Sequence, residues 1–174
     1  MTRSFSEALG THDRTVFTSG NQRIDSYFRE IVSQDVKRGY AACHVLVERS
    51  SAKVAGFYTL SSHSIPLTEV TVEVARKLPR YPSIPAALIG WMGRDERFRG
   101  QHIGSTLLAD AILRLATAPI GVHALCADAI DDVAAAFYRT HLFQPFVSRP
   151  RSLYLPLKTA IALVRQRRVN PNAQ

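Results

Sequence analysis

Cysteine is scarce in this chain: Cys43 and Cys126 are the only two among 174 residues. A structural metal site needs several ligands at short spacing, so two isolated thiols do not make one. Both fall in apolar runs, 41–47 and 122–127, that read as strands, where a thiol serves as a small buried hydrophobe. Long apolar runs are missing as well. None approaches the roughly 18 residues that a membrane span requires. No apolar stretch follows residues 1–5, so no secretory signal is expected and the expected location is the cytoplasm, with no membrane partner. Internal repeats and low-complexity segments are also lacking. Acidic residues are in deficit, with 14 Asp+Glu against 22 Lys+Arg, a formal charge of +8. The hydrophobic fraction of 46% is ordinary, so the chain is sized and composed for one domain with a full core.

The positive charge comes mostly from arginine and is clustered, at Arg76/Lys77/Arg80, Arg94/Arg97/Arg99, Arg149/Arg151 and Arg165/Arg167/Arg168. Such a surface attracts polyanions, either nucleic acid or a phosphorylated cofactor, though a basic and indifferent surface has the same composition.

Asn21 is placed to cap a helix running to about Arg38, with Ile24, Tyr27, Phe28, Ile31 and Val32 on one side and Gly39 as the stop. Runs 41–48 and 54–61, joined by the polar segment 49–53, form a hairpin pattern. Segment 68–77 reads as a short helix, and Pro79, Pro82 and Pro85 make 78–85 irregular. Residues 86–92 are almost wholly apolar and fit a central strand. After the charged turn 94–102 comes a helix with Ile103, Leu107, Leu108, Ala111, Ile112 and Leu115 at helical spacing. Strand 122–127 comes next. A second helix is opened by Asp131/Asp132 and carries Val133, Phe137 and Tyr138. Runs 143–147 and 152–157 read as a last strand pair. The fold class is therefore α/β, a mixed sheet flanked by helices, with one domain over 1–157 and a basic tail, 158–174, open to helix formation.

The strand–turn–helix over 88–115 carries the most chemistry. A helix N-terminus presents unpaired backbone N–H groups and a favourable dipole to a phosphate. Gly100 and Gly104 permit close approach, and Arg97 and Arg99 add charge. Physically this is a pyrophosphate cradle, although glycines in a turn before a helix often serve the turn and nothing more. It is not a Walker loop, because Gly-Lys-Ser/Thr is absent, and it lacks the three spaced glycines of the dinucleotide fingerprint.

Arg99-Gly100-Gln101-His102-Ile103-Gly104 resembles the Arg/Gln-x-x-Gly-x-Gly/Ala motif of the GNAT superfamily of N-acetyltransferases. The resemblance implies the acyl-CoA N-acyltransferase fold and acetyl-CoA as co-substrate, with no metal. It implies cofactor contacts from Arg99, Gly100, Gln101, His102, Ile103, Gly104 and Ser105, and from Met92, Gly93 and Arg94 on the preceding strand. His102 replaces the motif's first glycine. Its ring could crowd the pyrophosphate, donate a hydrogen bond to it, or lie in solvent.

The stretch Phe17-x-Ser19-Gly20-x-x-x-Ile24-Asp25-x-Tyr27-Phe28 and the stretch Ala136-Phe137-Tyr138-x-x-His141-x-Phe143 are similar to the acetyltransferase toxins of bacterial toxin–antitoxin pairs. That resemblance implies acetylation of the α-amino group of aminoacyl-tRNA, a ribbon-helix-helix antitoxin and a homodimer. Tyr138 matches the family's catalytic tyrosine, which would protonate the departing thiolate. Asp95 and Glu96 are candidate bases, turn carboxylates balancing arginines, or bystanders to a water; no base is assigned. Leu142 replaces a glycine commonly found there, so its turn must avoid positive φ or absorb strain. Two other readings stay open: an acetyltransferase for a small amine, a protein lysine or an N-terminus, and a degenerate fold that only binds nucleic acid or a partner.

Overall fold

Asn21 starts the first helix as its position dictates. Its side-chain oxygen accepts the N–H groups of Arg23 at 3.0 Å and Ile24 at 3.3 Å. Helix α1 (Gln22–Ser26) passes through a π-helical turn, Tyr27–Ile31, into α2 (Val32–Lys37), and Gly39 ends it at φ +75°. The wider π turn explains a departure from the expected face. Tyr27, Phe28 and Val32 are buried, but Ile31 is rotated out and is 45% exposed.

The structure, a computed structural model, describes residues 4–169. The side chains of Arg167 and Arg168, part of the expected tail cluster, lie outside the described residues, as do residues 1–3 and 170–174. Seven strands form one sheet in the order β1-β2-β3-β4-β5-β7-β6. They are β1 (Ser4–Ala8), β2 (Ala42–Glu48), β3 (Val54–Pro66), β4 (Ser83–Arg94), β5 (Ala124–Asp128), β6 (Gln144–Pro145) and β7 (Ser152–Pro156). The remaining helices are α3 (Val72–Ala75), α4 (Ile103–Ala116), α5 (Asp132–Thr140) and α6 (Leu157–Val169). Two compact units make up the chain. One holds the described residues through Ser61 together with Gly90–Ala111; the other holds Ser62–Ile89 and the described residues from Ile112 onward.

In the first unit β1, β2 and β3 run antiparallel, with a register irregularity between Leu46 and Val47. One sheet face is filled by Phe17, Phe28 and Phe57, all essentially inaccessible; the Phe28 and Phe57 rings stack at 3.9 Å and Phe17 meets Phe28 edge-on at 4.7 Å. The buried Leu107 and Leu108 of α4 contribute roughly 2 kcal/mol each by leaving water. A Cβ at Gly56 would stand 2.8 Å from Leu107 Cδ1 and 2.9 Å from Ile103 Cγ2, so only glycine lets α4 lie this close to β3. Polar ties fix the same helix. Tyr58 and Ser6 hydroxyls both donate to Asp110 Oδ2, at 2.5 and 2.6 Å.

In the second unit β4 pairs parallel with β5 over Ala86–Ile89, β5 pairs antiparallel with β7, and β7 with the two-residue β6. Asp131 caps α5 by accepting the Ala134 N–H at 2.8 Å. Ala135 and Tyr138 are its buried residues; Val133 is 80% exposed. The basic tail is helical over α6 and buries Leu157, Ala160 and Val164 along one stripe. Burial pushes the thiols of Cys43 and Cys126 up to about 12, which suits inert core positions.

Leu142, just beyond α5, has φ +65° and is half exposed. The turn therefore keeps the left-handed geometry of a glycine and absorbs the cost of a Cβ. Leu142→Gly is expected to stabilise the protein by about 0.5–1 kcal/mol in urea unfolding, the strain relieved being partly offset by the freer unfolded chain.

Candidate cofactor-binding turn and catalytic tyrosine

The end of β4 leads into the charged turn. Strand alternation puts Trp91 and Gly93 on one face and Met92 and Arg94 on the other. Trp91 stacks on Tyr27 with ring centroids 4.2 Å apart and planes 8° from parallel. Its backbone N–H donates to the side-chain oxygen of the buried Thr59 at 3.0 Å. A Cβ on Gly93 would lie 2.7 Å from Ile24 Cγ2 and 2.9 Å from Phe57, so packing demands glycine and leaves Gly93 only its backbone for a ligand.

Asp95 organises the residues beyond the strand. Its side chain is fully buried and caps the 3₁₀ turn Glu96–Phe98. Arg97 donates to it three times, from its backbone N–H at 2.9 Å and from Nε and Nη2 at 2.8 Å each, and Thr18 N–H adds a fourth bond at 3.2 Å. This fork is the strong, directional form of a charge-assisted pair. Arg97 is thereby committed to Asp95, which leaves Arg99 as the arginine of the motif itself. Burial pushes the Asp95 carboxyl up, but the hydrogen bonds from Arg97 and from the Arg97 and Thr18 backbone more than reverse this and hold it below its ordinary value. A carboxylate so satisfied is a poor proton acceptor.

The turn then opens the helix. Gly100 has φ +79°, and a Cβ there would meet nothing within 4 Å, so conformation, not crowding, selects glycine. His102 comes next but one, at φ +56° with its side chain in solvent. Its carbonyl accepts the Thr106 N–H at 3.0 Å, a bond of the first turn of α4. Gly100, Gln101, His102 and Ile103 line an open groove of about 860 Å³ with Arg49, Phe98 and Thr106 among its other walls. Arg99, Gly104 and Ser105 adjoin that lining in sequence without being part of it.

Tyr138 belongs to the second unit. It is 5% exposed, between Phe137 and Phe143, whose ring centroids are 5.4 and 5.2 Å from its own. Burial raises its pKa, with the charge of Asp128 contributing second, so its hydroxyl carries its proton throughout the neutral range. Among the described residues no group of His, Cys, Asp and Glu could hold a metal ion, and no helix is long and apolar enough to cross a membrane.

The sequence singled out the turn but not its buttress. Thr18 reaches it across 77 residues, by its N–H to Asp95, and Asp25 in turn holds Thr18 and Ser19 through local bonds. The only sequence signal was the toxin-like stretch that contains Ser19 and Asp25. A depressed carboxyl pKa stabilises the fold fully above the unfolded value, 3.8, and loses that contribution as pH falls through the lower folded value. Asp95→Asn should cost more than about 2 kcal/mol near neutral pH. In urea melts its deficit should shrink only below pH 3.8; a deficit unchanged through strong acid would contradict an ionised Asp95.

No protein-family model matches the chain. Curated relatives do. The chain is 32% identical over 162 residues to a probable toxin TacT of Sinorhizobium fredii, covering 88% of this chain and 90% of the relative. It is 33% identical over 154 residues to a tRNA-acetylating toxin of Mycobacterium tuberculosis, covering 87% and 90%. Among solved structures, AtaT complexed with acetyl-methionyl-tRNAfMet superposes with a TM-score of 0.83 at 23% identity, covering 92% of this chain and 99% of AtaT. A tyrosine-to-phenylalanine mutant of AtaT, bound to the C-terminus of the antitoxin AtaR and to acetyl-CoA, gives 0.75 at 22%, covering 92% and 97%. The sheet thus shares the fold of AtaT, and the chain belongs to the GNAT-type acetyltransferase toxins that include TacT and the tRNA-acetylating toxin.

Proposed function

We propose that this protein transfers the acetyl group of acetyl-CoA to the α-amino group of an aminoacyl-tRNA and so stops translation. The observation that carries the proposal is the 33% identity, over most of both chains, to a tRNA-acetylating toxin. The cradle at 99–105 supports acetyl-CoA as the donor: Gly100 and His102 are left-handed just before α4, whose first backbone N–H groups would meet the pyrophosphate. Met92, Gly93 and Arg94 would meet the pantetheine arm, Gly93 through its backbone alone. The domain that does this spans 1–157, with 158–174 as its tail.

In the proposed reaction the amine nitrogen attacks the thioester carbonyl, the C–S bond breaks, and the departing thiolate takes the Tyr138 proton. The amine's own proton leaves to water, because Asp95 is fully engaged by Arg97 and Thr18. Much of the rate would come from holding amine and thioester together. The reading extends to partners: a ribbon-helix-helix antitoxin, a homodimer and a cytoplasmic site of action, where aminoacyl-tRNA is found.

Mass spectrometry of tRNA-linked amino acids after incubation with acetyl-CoA should show an acetyl adduct on the α-amine. Unmodified aminoacyl-tRNA, with acetylation appearing only on a small amine, would defeat the tRNA reading. Tyr138→Phe should lower product formation by about 100-fold or more while leaving melting temperature and acetyl-CoA affinity in place. His102→Gly tests the backbone argument. Because the amide and not the ring makes the contact, acetyl-CoA affinity should stay within about threefold of wild type; a collapse in affinity would assign the phosphate contact to the imidazole.

A further inference from the structure

Segment 17–20 lies between helix α1 and the turn at 95–97, bonded to both. On the helix side, Asp25 is only 7% exposed. Its Oδ1 accepts Ser19 N–H at 2.7 Å and Ser19 Oγ–H at 2.6 Å, and its Oδ2 accepts the Thr18 hydroxyl at 3.3 Å. Arg29, one turn on, donates from Nε at 3.0 Å and also from Nη2 to the Phe17 carbonyl. On the other side, Thr18 N–H donates to Asp95 Oδ2 at 3.2 Å and Thr18 C=O accepts the Glu96 N–H at 2.8 Å. Gly20, at φ +82°, admits this approach; a Cβ there would stand 2.8 Å from Glu96 Oε1.

The turn carries the constraint forward. Phe98 N–H bonds to Asp95 C=O at 3.0 Å, Arg99 N–H to Glu96 C=O at 3.0 Å, and Gln101 N–H to Phe98 C=O at 3.3 Å. The orientation of Asp95 and Glu96 therefore sets that of the amides from Gly100 onward. We propose that Asp25 is a positioning residue for the acetyl-CoA turn: by fixing Thr18 and Ser19 it holds the Asp95–Arg97 pair, and through it the anion-binding amides, in their ligand-ready arrangement. The proposal rests on the reading of acetyl-CoA as the donor and adds a second anchor, remote in sequence from the motif. The carboxylate is the required group, because it accepts three hydrogen bonds from two adjacent residues and faces Arg29 at 3.9 Å. An amide in its place would turn one acceptor into a donor facing other donors.

The test compares wild type, Asp25→Asn and the milder Ser19→Ala by calorimetric titration with acetyl-CoA, steady-state kinetics and thermal melting. Asp25→Asn should raise both Kd and KM for acetyl-CoA about tenfold with kcat at saturation within about twofold, and Ser19→Ala should raise them about threefold. Lower melting temperatures with unchanged Kd in both variants would make the cluster merely structural and overturn the proposal. A fall in kcat with Kd intact would overturn it too, by placing the effect on the chemical step. If wild type binds acetyl-CoA but the variants are no weaker, this inference alone fails. If wild type binds none, the acetyl-CoA reading fails and takes the inference with it.

Discussion

The buried carboxylate of Asp95 is the constraint on which the rest of the first unit turns. Four N–H donors converge on a side chain with no solvent exposure, and three of them come from Arg97. Removing a carboxylate from water is costly unless its lone pairs are filled. Here they are filled by a backbone cap, a guanidinium fork and an amide from a distant segment, so the group can be ionised and rigid together. The same four bonds stop β4, begin the 3₁₀ turn and bring Thr18 alongside. The turn has little freedom left once its first residue is held this way.

The packing beneath that turn serves the same end. Gly56 and Gly93 both lie where a Cβ would be driven into neighbouring side chains, the first against α4, the second against Ile24 and Phe57. Close approach of helix and strands on both faces leaves the end of β4 with no slack. The stacked Tyr27 and Trp91 rings pin the strand from the α1 side, and Tyr27 donates to Asp35 at 3.0 Å to fix its own orientation. Positioning of this kind comes from the core and costs the turn no flexible contacts.

Local rules made much of this legible. Asn21, Gly39 and Asp131 punctuate helices as their chemistry requires, and the spacing of Ile103, Leu107, Leu108 and Ala111 identifies α4. What escaped was non-local. β1 has a polar sequence and is a strand only because β2 pairs with it, Phe5 against Val47 and Glu7 against Val45. The π turn moves Ile31 out of a face that a regular helix would give it, and no residue type announces such a turn. Arg97 looked like a phosphate ligand because charge near a glycine-rich turn suggests one. Its direction was decided by Asp95, two residues away and wholly buried. Tyr138 was legible through family resemblance, whereas its burial and raised pKa follow from the packing of α5 against residues such as Phe143.

The two departures from the glycine pattern are the most informative residues in the chain. His102 and Leu142 both stand where the motifs that the chain resembles have glycine, and both adopt positive φ, +56° and +65°. Each costs roughly 1–2 kcal/mol relative to a right-handed alternative. A loop able to escape that cost would do so by changing shape, and neither has. Surrounding bonds over-determine the geometry. His102 C=O is held by Thr106, and Leu142 N–H and Phe143 N–H are held by Arg139 and Tyr138 carbonyls at 2.9 and 3.1 Å. What is retained is thus the backbone path, not the glycine that usually supplies it. An anion site made of amides would need only that path, so the loss of the motif's first glycine is compatible with the proposed cradle.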